Sequence, residues 1–201
     1  MDRLLKSISY IFHPLIMPLL GVIFYFYKSP RFFSKDIITA KLISLFILTF
    51  ILPILLFFLL KTVKKVESVN LETTKERIFP LILNCIIISL VLMRVLQSSQ
   101  IIELYFFFLG ILISNITCLI LAVLKFKVSI HMIAVSYVFM FLVILSIHFS
   151  ININGILALS SIIIGAVATS RLHVKAHTSL ELIMGVFIGV LPQLVMANYW
   201  L

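Results

Sequence analysis

The feature that most constrains this chain is a series of apolar stretches long enough to cross a lipid bilayer. A spanning helix needs about 20 mostly apolar residues, because each residue advances an α-helix by only about 1.5 Å. Such stretches recur along the chain, at residues 10–27, 38–60, 78–96, 101–124, 132–149, 152–169 and 178–198. Because backbone polar groups in lipid must be hydrogen-bonded within the protein, we predict that each stretch is a helix.

Composition supports a membrane protein. Hydrophobic residues make up 63% of the chain, whereas soluble domains contain roughly half. We therefore predict an all-α fold, a polytopic transmembrane bundle of about six to seven helices, in a single integral membrane domain over residues 1–201. The first stretch is the least regular, since Pro14 and Pro18 interrupt it. It is expected to be a kinked helix or to lie in the membrane interface.

The charged residues are expected to serve topology and lipid contact. The formal net charge is +9, and the basic residues lie mainly in short loops, where they set orientation and meet headgroups. A nucleic-acid partner is therefore not expected. Cys85 and Cys118 fall inside apolar stretches and are interpreted as small hydrophobic residues, not as a disulfide or metal site. Arg94 and Glu103, which flank a short turn, are expected to pair with each other or with headgroups.

The order of the spans predicts that three polar loops share one side of the membrane. If the amino terminus lies on side A, then loops 61–77, 125–131 and 170–177 also lie on side A. The remaining loops, on side B, are 28–37, 97–100 and 150–155. The chemically interesting residues belong to the side-A loops, and we expect them to meet there.

The segment SRLHVKAHTSLE, before the last span, contains the strongest candidate site. His177 and Glu181 are four residues apart, so on a helix the carboxylate would lie one turn from the imidazole and could orient it. Arg171 offers a planar, permanent cation suited to phosphate. One alternative is a metal site of His173, His177 and Glu181, but no HExxH-type partner accompanies them. The other is a solvated basic loop without chemistry.

Two further clusters lie in the other side-A loops. Lys75 and Arg77 begin the third span and are suited to phosphate oxygens, although cations at helix ends are often interface residues. Lys127, Ser129 and His131 would share one side of an extended segment, which brings together a cation, a hydroxyl and an imidazole. A short polar loop between spans is the alternative interpretation. Together the clusters predict an anion site beside a reactive histidine.

These residues resemble the signature of a known family. The pattern Ser170-Arg171-x5-His177-x3-Glu181 is similar to Ser-Arg-x5-His-x3-Asp, the third motif of the type 2 phosphatidic acid phosphatase superfamily. Members are membrane lipid phosphatases that share a helical-bundle fold with vanadium haloperoxidases. The resemblance covers about residues 60–198 and implies a bundle similar to the lipid phosphate phosphatases.

The second motif, Pro-Ser-Gly-His, is matched in part. Ser129 and His131 resemble its serine and histidine, whereas Val128 stands in place of the proline and Ile130 in place of the glycine. A β-branched residue is less free than glycine to present its backbone N–H to phosphate.

The first motif, Lys-x6-Arg-Pro, is matched more loosely. Arg77 is followed by Pro80, and Asn70 stands seven residues before Arg77, where the motif has lysine. Lys75 would have to take the place of that lysine.

The resemblance implies a role for each residue. His177 would be the nucleophile that forms a phosphohistidine, Glu181 the carboxylate that orients it, and His131 the general acid for the leaving group. The residues expected to bind phosphate are Arg171, Ser129, Arg77, Lys75, Lys127 and Ser170. Such a mechanism needs neither metal nor cofactor, because cationic side chains hold the transferring group.

The implied substrate is a membrane lipid phosphate or pyrophosphate, such as phosphatidic acid, phosphatidylglycerol phosphate or a polyprenyl phosphate. The expected setting is a phospholipid bilayer, the cytoplasmic membrane of a bacterium. Orientation stays open: the basic residues favour side A in the cytoplasm, whereas the resemblance favours an active site that faces away from it. The roles of His13 and His173 and the oligomeric state also stay open.

A function of another class fits the same residues. A non-catalytic membrane protein, such as a headgroup binder or small transporter, could use the basic face to hold an anion. Inverted repeats, which many transporters contain, are not evident in the chain. Conversion of His177 to Gln or Asn separates the hypotheses, since a binder should tolerate it better than a phosphohistidine enzyme.

Overall fold

A computed structural model describes residues 2–64, 73–97 and 99–201, and within them every regular element is a helix. The elements in chain order are α1 (Asp2–Ile11), α2 (Met17–Lys28), α3 (Lys35–Thr62), α4 (Thr74–Val95), α5 (Ile102–Val123), α6 (Ile130–His148), α7 (Asn154–His173) and α8 (Ser179–Ala197). Helices α3 to α8 are long and apolar enough to cross a membrane. The chain is therefore an integral membrane protein with a polytopic helical bundle.

The first predicted span is not one helix. Helix α1 ends at Ile11 and α2 begins at Met17, with Pro18 in its first turn. Proline has no N–H to donate and is tolerated only where a helix starts, so the prolines divide the stretch. Helix α2 has 12 residues and is about 18 Å long, too short by itself to cross the hydrocarbon layer of about 30 Å. The connection before α2 provides part of the distance, since His13 lies beside His131 at side A and Tyr25 beside Glu103 at side B.

The other six predicted spans are confirmed, and their ends differ from α3–α8 by at most four residues. Polar side chains determine where several of these helices begin. The hydroxyl groups of Ser34, Thr73, Ser129 and Thr178 each accept a hydrogen bond from a backbone N–H of the first turn. These N-caps satisfy donors that would otherwise lack a partner.

Helix α6 forms the centre of the bundle, and α8 packs against it along much of its length. Two glycines of α8 permit the close approach. A Cβ added to Gly189 would lie 2.5 Å from the carbonyl oxygen of Ile133, and one added to Gly185 would lie 2.9 Å from that of Ser129. The approach fixes the amino-terminal end of α8 beside the start of α6, where the candidate residues are.

A second polar cluster lies at the opposite, side-B end of the bundle. Glu103 is fully buried; its carboxylate lies 2.6 Å from Nη2 of Arg31 and 3.3 Å from Nε2 of His148. The Tyr25 hydroxyl donates to the same carboxylate at 3.0 Å. The expected partner, Arg94, is exposed instead. The contacts tie α2 and the α2–α3 loop to α5 and α6.

Candidate active site

The predicted contact between His177 and Glu181 is confirmed, by a geometry that differs from the one expected. His177 precedes α8, and Thr178 is the N-cap. The Glu181 carboxylate reaches back, accepts from the backbone N–H of Thr178 at 3.0 Å and lies 2.9 Å from Nδ1 of His177. Thr178 and Glu181 thus form a capping box, a motif that uses Glu or Gln at this position. The capping box accounts for Glu at position 181.

The imidazole of His177 is held in one orientation. Its Nδ1 also lies 3.2 Å from the carbonyl oxygen of Lys127, and both neighbours of Nδ1 are acceptors. The neutral ring therefore carries its proton on Nδ1, which leaves the lone pair on Nε2. The His177 side chain is 1% exposed. Burial, reinforced by the Arg77 cation, lowers the pKa of His177 below its ordinary value, so the ring is neutral at neutral pH.

The segment 127–131 is brought against His177 and Glu181 through backbone contacts. Residues 126–129 are not helical, and the backbone N–H of Ser129 donates to the carbonyl of Glu181 at 3.2 Å. Ser129 is fully buried, and its hydroxyl caps α6 by accepting from Met132 N at 3.4 Å. The sequence predicts that Lys127, Ser129 and His131 share one side of an extended segment. Only Lys127 and Ser129 belong to the non-helical segment, because His131 already lies in the first turn of α6.

Of the two cations that begin the third predicted span, Arg77 joins this group. The Arg77 guanidinium is buried and donates from Nη1 to the carbonyl of Val128 at 2.7 Å. Lys75 is exposed in the first turn of α4, and no contact in the described part of the chain joins it to the other candidates. Asn70 lies outside the described residues.

Helix α1 contributes a residue that sequence reasoning missed. The Ser9 hydroxyl lies 2.7 Å from the hydroxyl of the fully buried Ser170, and the Ser9 carbonyl lies 3.2 Å from Nε2 of His131. The available signal was the amphipathic pattern of residues 2–11, which marks a helix with one face against the bundle. A single serine on that pattern gives no indication of its partner.

His13 also belongs to this region. Its ring lies 5.6 Å from that of His131 and nearly perpendicular to it. Burial and, second, the Arg171 cation lower the pKa of His13. The same cation contributes to the lowered pKa of His177, so Arg171 is near enough to act on both. Its Nε is buried and has no hydrogen-bond partner among the described residues.

The arrangement is an electropositive, partly buried centre. The charges of Arg77, Arg171 and Glu181 all act on His177, whose Nδ1 contacts the Glu181 carboxylate and the backbone carbonyl of Lys127. Like charges confined at low dielectric repel one another, and an anion with several oxygens would relieve that repulsion. An oxyanion such as phosphate carries the complementary charge.

Comparison with protein-family models, with curated proteins and with solved structures gives no match to this chain.

Proposed function

We propose that this protein is a membrane-embedded phosphatase that removes phosphate from a lipid phosphate or lipid pyrophosphate through a phosphohistidine on His177. The observation that carries the proposal is the Glu181–His177 pair, with the lone pair on Nε2 of His177, near the buried cation of Arg77 and the half-buried cation of Arg171. The partial motifs of the type 2 phosphatidic acid phosphatase superfamily support the same chemistry.

In the proposed reaction, Nε2 of His177 attacks phosphorus while the bond from phosphorus to the lipid oxygen breaks. His131 gives its proton to the leaving oxygen, and the lipid departs as an alcohol, or as a monophosphate when the substrate is a pyrophosphate. Water then attacks the phosphohistidine and gives a proton to His131, which releases inorganic phosphate and restores His177. Arg77, Arg171 and Lys127 hold the equatorial oxygens.

The remaining candidates have lesser roles in this proposal. Ser129 keeps its hydroxyl proton while it caps α6, so it can still donate to a phosphate oxygen. Ser170 holds α1 through Ser9 and acts on phosphate only if that contact opens. Exposed Lys75 would meet the headgroup at the rim of the site.

The setting we propose is the cytoplasmic membrane of a bacterium, with the site on the face away from the cytoplasm. The substrate would keep its chain in the bilayer and bring only its headgroup to side A. The basic loops, which argue for the opposite orientation, contain cations that the proposal assigns to phosphate, so their count is a weaker guide to topology.

The test is phosphate release by the purified protein in detergent, without added metal, from a panel of lipid phosphates and pyrophosphates. His177→Asn and His131→Asn are measured beside the wild type. We expect the His177 variant to lose roughly a thousandfold or more of the rate, and chelators to have no effect. Folded wild-type protein that releases no phosphate from any substrate would overturn the proposal.

A second candidate, a non-catalytic binder of anionic headgroups, is favoured by one contact. Nε2 of His131 faces the Ser9 carbonyl instead of the space beside His177. A binder predicts that His177→Asn changes lipid-phosphate affinity by less than about threefold and that no phosphohistidine forms. Acid-labile phosphate on the protein after a brief incubation with labelled substrate would exclude it.

A further inference from the structure

A groove runs along the lipid-facing side of the bundle between α2, α6 and α7. It has a volume of about 300 Å³, and its lining is almost wholly apolar. Each helix contributes part of the wall, represented by Phe12 and Leu20, Val135 and Val138, and Ile156 and Ser160. Such a surface fits a hydrocarbon chain and offers almost nothing to a polar ligand.

The side-A end of the groove meets the candidate site. On α6, His131, Val135, Val138 and Leu142 follow one another at helical spacing, so the histidine and the lining residues share one stripe. Phe12 lines the groove and is bonded to His13, whose ring contacts that of His131. A chain lying in the groove would therefore end beneath the two imidazoles.

Helix α7 brings a cation to the same end. Arg171 lies eleven residues, or about three turns, after Ser160, which puts the two on the same side of α7. The buried Nε of Arg171 has no hydrogen-bond partner among the described residues, and the Arg171 charge acts on His13. An apolar groove that ends at a cation is complementary to an amphiphile with one anionic head.

We propose that the amino-terminal segment selects the substrate: α2 forms one wall of a groove for a single lipid chain, and His13 joins Arg171 in binding its headgroup. The assignment of that headgroup as phosphate rests on the proposed function. Residues 1–28 precede the stretch that carries the phosphatase-like motifs, so this role would be an addition to the catalytic residues.

Binding is tested with hexadecylphosphonate, which has a single chain and a carbon–phosphorus bond that hydrolysis does not cleave. Butylphosphonate is the control with the same headgroup and a short chain. Hexadecanol is the control with the same chain and no charged headgroup. Affinities are measured with purified protein in detergent, and phosphate release from hexadecyl phosphate is followed in the same variants.

Ser160 and Ser161 provide a matched pair of variants. Each hydroxyl donates a hydrogen bond to the backbone carbonyl four residues earlier on α7. Ser160 lines the groove, whereas Ser161 is exposed and does not line it. We expect Ser160→Phe to weaken hexadecylphosphonate binding about tenfold, because the ring displaces several methylenes. Ser161→Phe should leave it unchanged, and neither should alter butylphosphonate binding.

His13→Phe keeps an aromatic ring beside His131 but removes the hydrogen-bonding nitrogens. We expect this variant to bind both phosphonates about five to ten times more weakly and to bind hexadecanol as the wild type does. If His13→Phe weakens hexadecanol binding by the same factor, then His13 only shapes the groove and does not bind the headgroup.

The outcomes separate this inference from the proposed function. If His177→Asn lowers phosphate release and Ser160→Phe does not, the proposal that the groove binds the lipid chain is wrong and the proposed phosphatase activity is unaffected. Groove-dependent phosphonate binding without any phosphate release would support the groove and overturn the phosphatase. Equal binding of hexadecanol and hexadecylphosphonate would show that ordinary bilayer lipid fills the groove, which would overturn headgroup selection.

Discussion

At the residue scale, Glu181 combines two tasks that are usually separate. Its carboxylate caps the backbone of α8 at Thr178 and orients the imidazole of His177. Both tasks need a side chain that reaches back over the first turn, which Glu does and the shorter Asp does less easily. The structure of the helix end and the chemistry of the site therefore depend on the same oxygen.

Substitution of Glu181 should separate these tasks. Glu181→Gln keeps an acceptor for the Thr178 N–H, so the unfolding temperature should change little, whereas loss of the negative charge should reduce phosphate release by about a hundredfold or more. Glu181→Ala should in addition cost about 1 kcal/mol of stability through the lost cap. Rates and thermal unfolding in detergent give both values. Equal rates for Gln and wild type would show that the carboxylate is only a cap.

The pH dependence of the reaction should report the environment of His177. Burial and the Arg77 cation lower its pKa, and a lowered pKa keeps the imidazole, the proposed nucleophile, neutral at pH values below the usual histidine pKa of about 6.5. The acid limb of kcat/KM should therefore lie below that pH. Arg77→Met removes the positive charge that contributes to the lowered pKa, so the acid limb should move to higher pH. Arg77→Lys keeps the charge, so the limb should stay where it is in the wild type. An unmoved limb in Arg77→Met would assign it to another group.

At the scale of elements, the site depends on how closely α8 approaches α6. Residues 127–131 lead into the first turn of α6, whereas His177 precedes α8 and Glu181 lies in the first turn of α8. The backbone N–H of Ser129 donates a hydrogen bond to the carbonyl of Glu181 and so joins the amino-terminal ends of α6 and α8. This bond requires that the two helix backbones lie close together. Glycine on α8 makes that contact possible, because any larger residue would hold the helices apart.

Gly189→Ala should therefore lower both stability and activity. The added Cβ would meet the Ile133 carbonyl oxygen at 2.5 Å, and relief of that overlap should cost about 1–3 kcal/mol. Gly165→Ala on α7 is the control, since no atom lies within 4 Å of its added Cβ and alanine favours the helix by about 1 kcal/mol. Thermal unfolding in detergent compares them. Equal unfolding temperatures would contradict the role given to α6–α8 packing.

At the scale of the whole molecule, the described polar contacts concentrate at the two ends of the bundle. The His177 site lies at the end where α4, α6 and α8 begin, and the Glu103 cluster lies where α5 begins and α6 ends. The length between them is filled mainly by apolar side chains, and Ser114 of α5 donates there to the Ile188 carbonyl of α8. One end is suited to a reaction on a headgroup, and the other fastens the short helix α2 to the spans.

Orientation in the membrane can be measured with single cysteines. Lys61, at the side-A end of α3, and Ser99, in the side-B turn, are both exposed and outside the site. In intact cells, a membrane-impermeant maleimide should label Lys61→Cys, whereas Ser99→Cys should react only after permeabilisation. Native Cys118 is buried and Cys85 half-buried, so background labelling should be low. The reverse pattern would turn the site toward the cytoplasm.

The sequence alone determined six of the spans, the break at Pro14 and Pro18, and the pairing of His177 with Glu181. These follow from hydropathy, from proline geometry and from two residues only four positions apart in the chain, which are local properties. Only the tertiary structure decided the contacts between distant elements, such as Ser9 with Ser170 or Arg77 with Val128. Helix faces of similar apolarity have many possible partners, and the approach of α8 to α6 selects among them through shape, which no local pattern records.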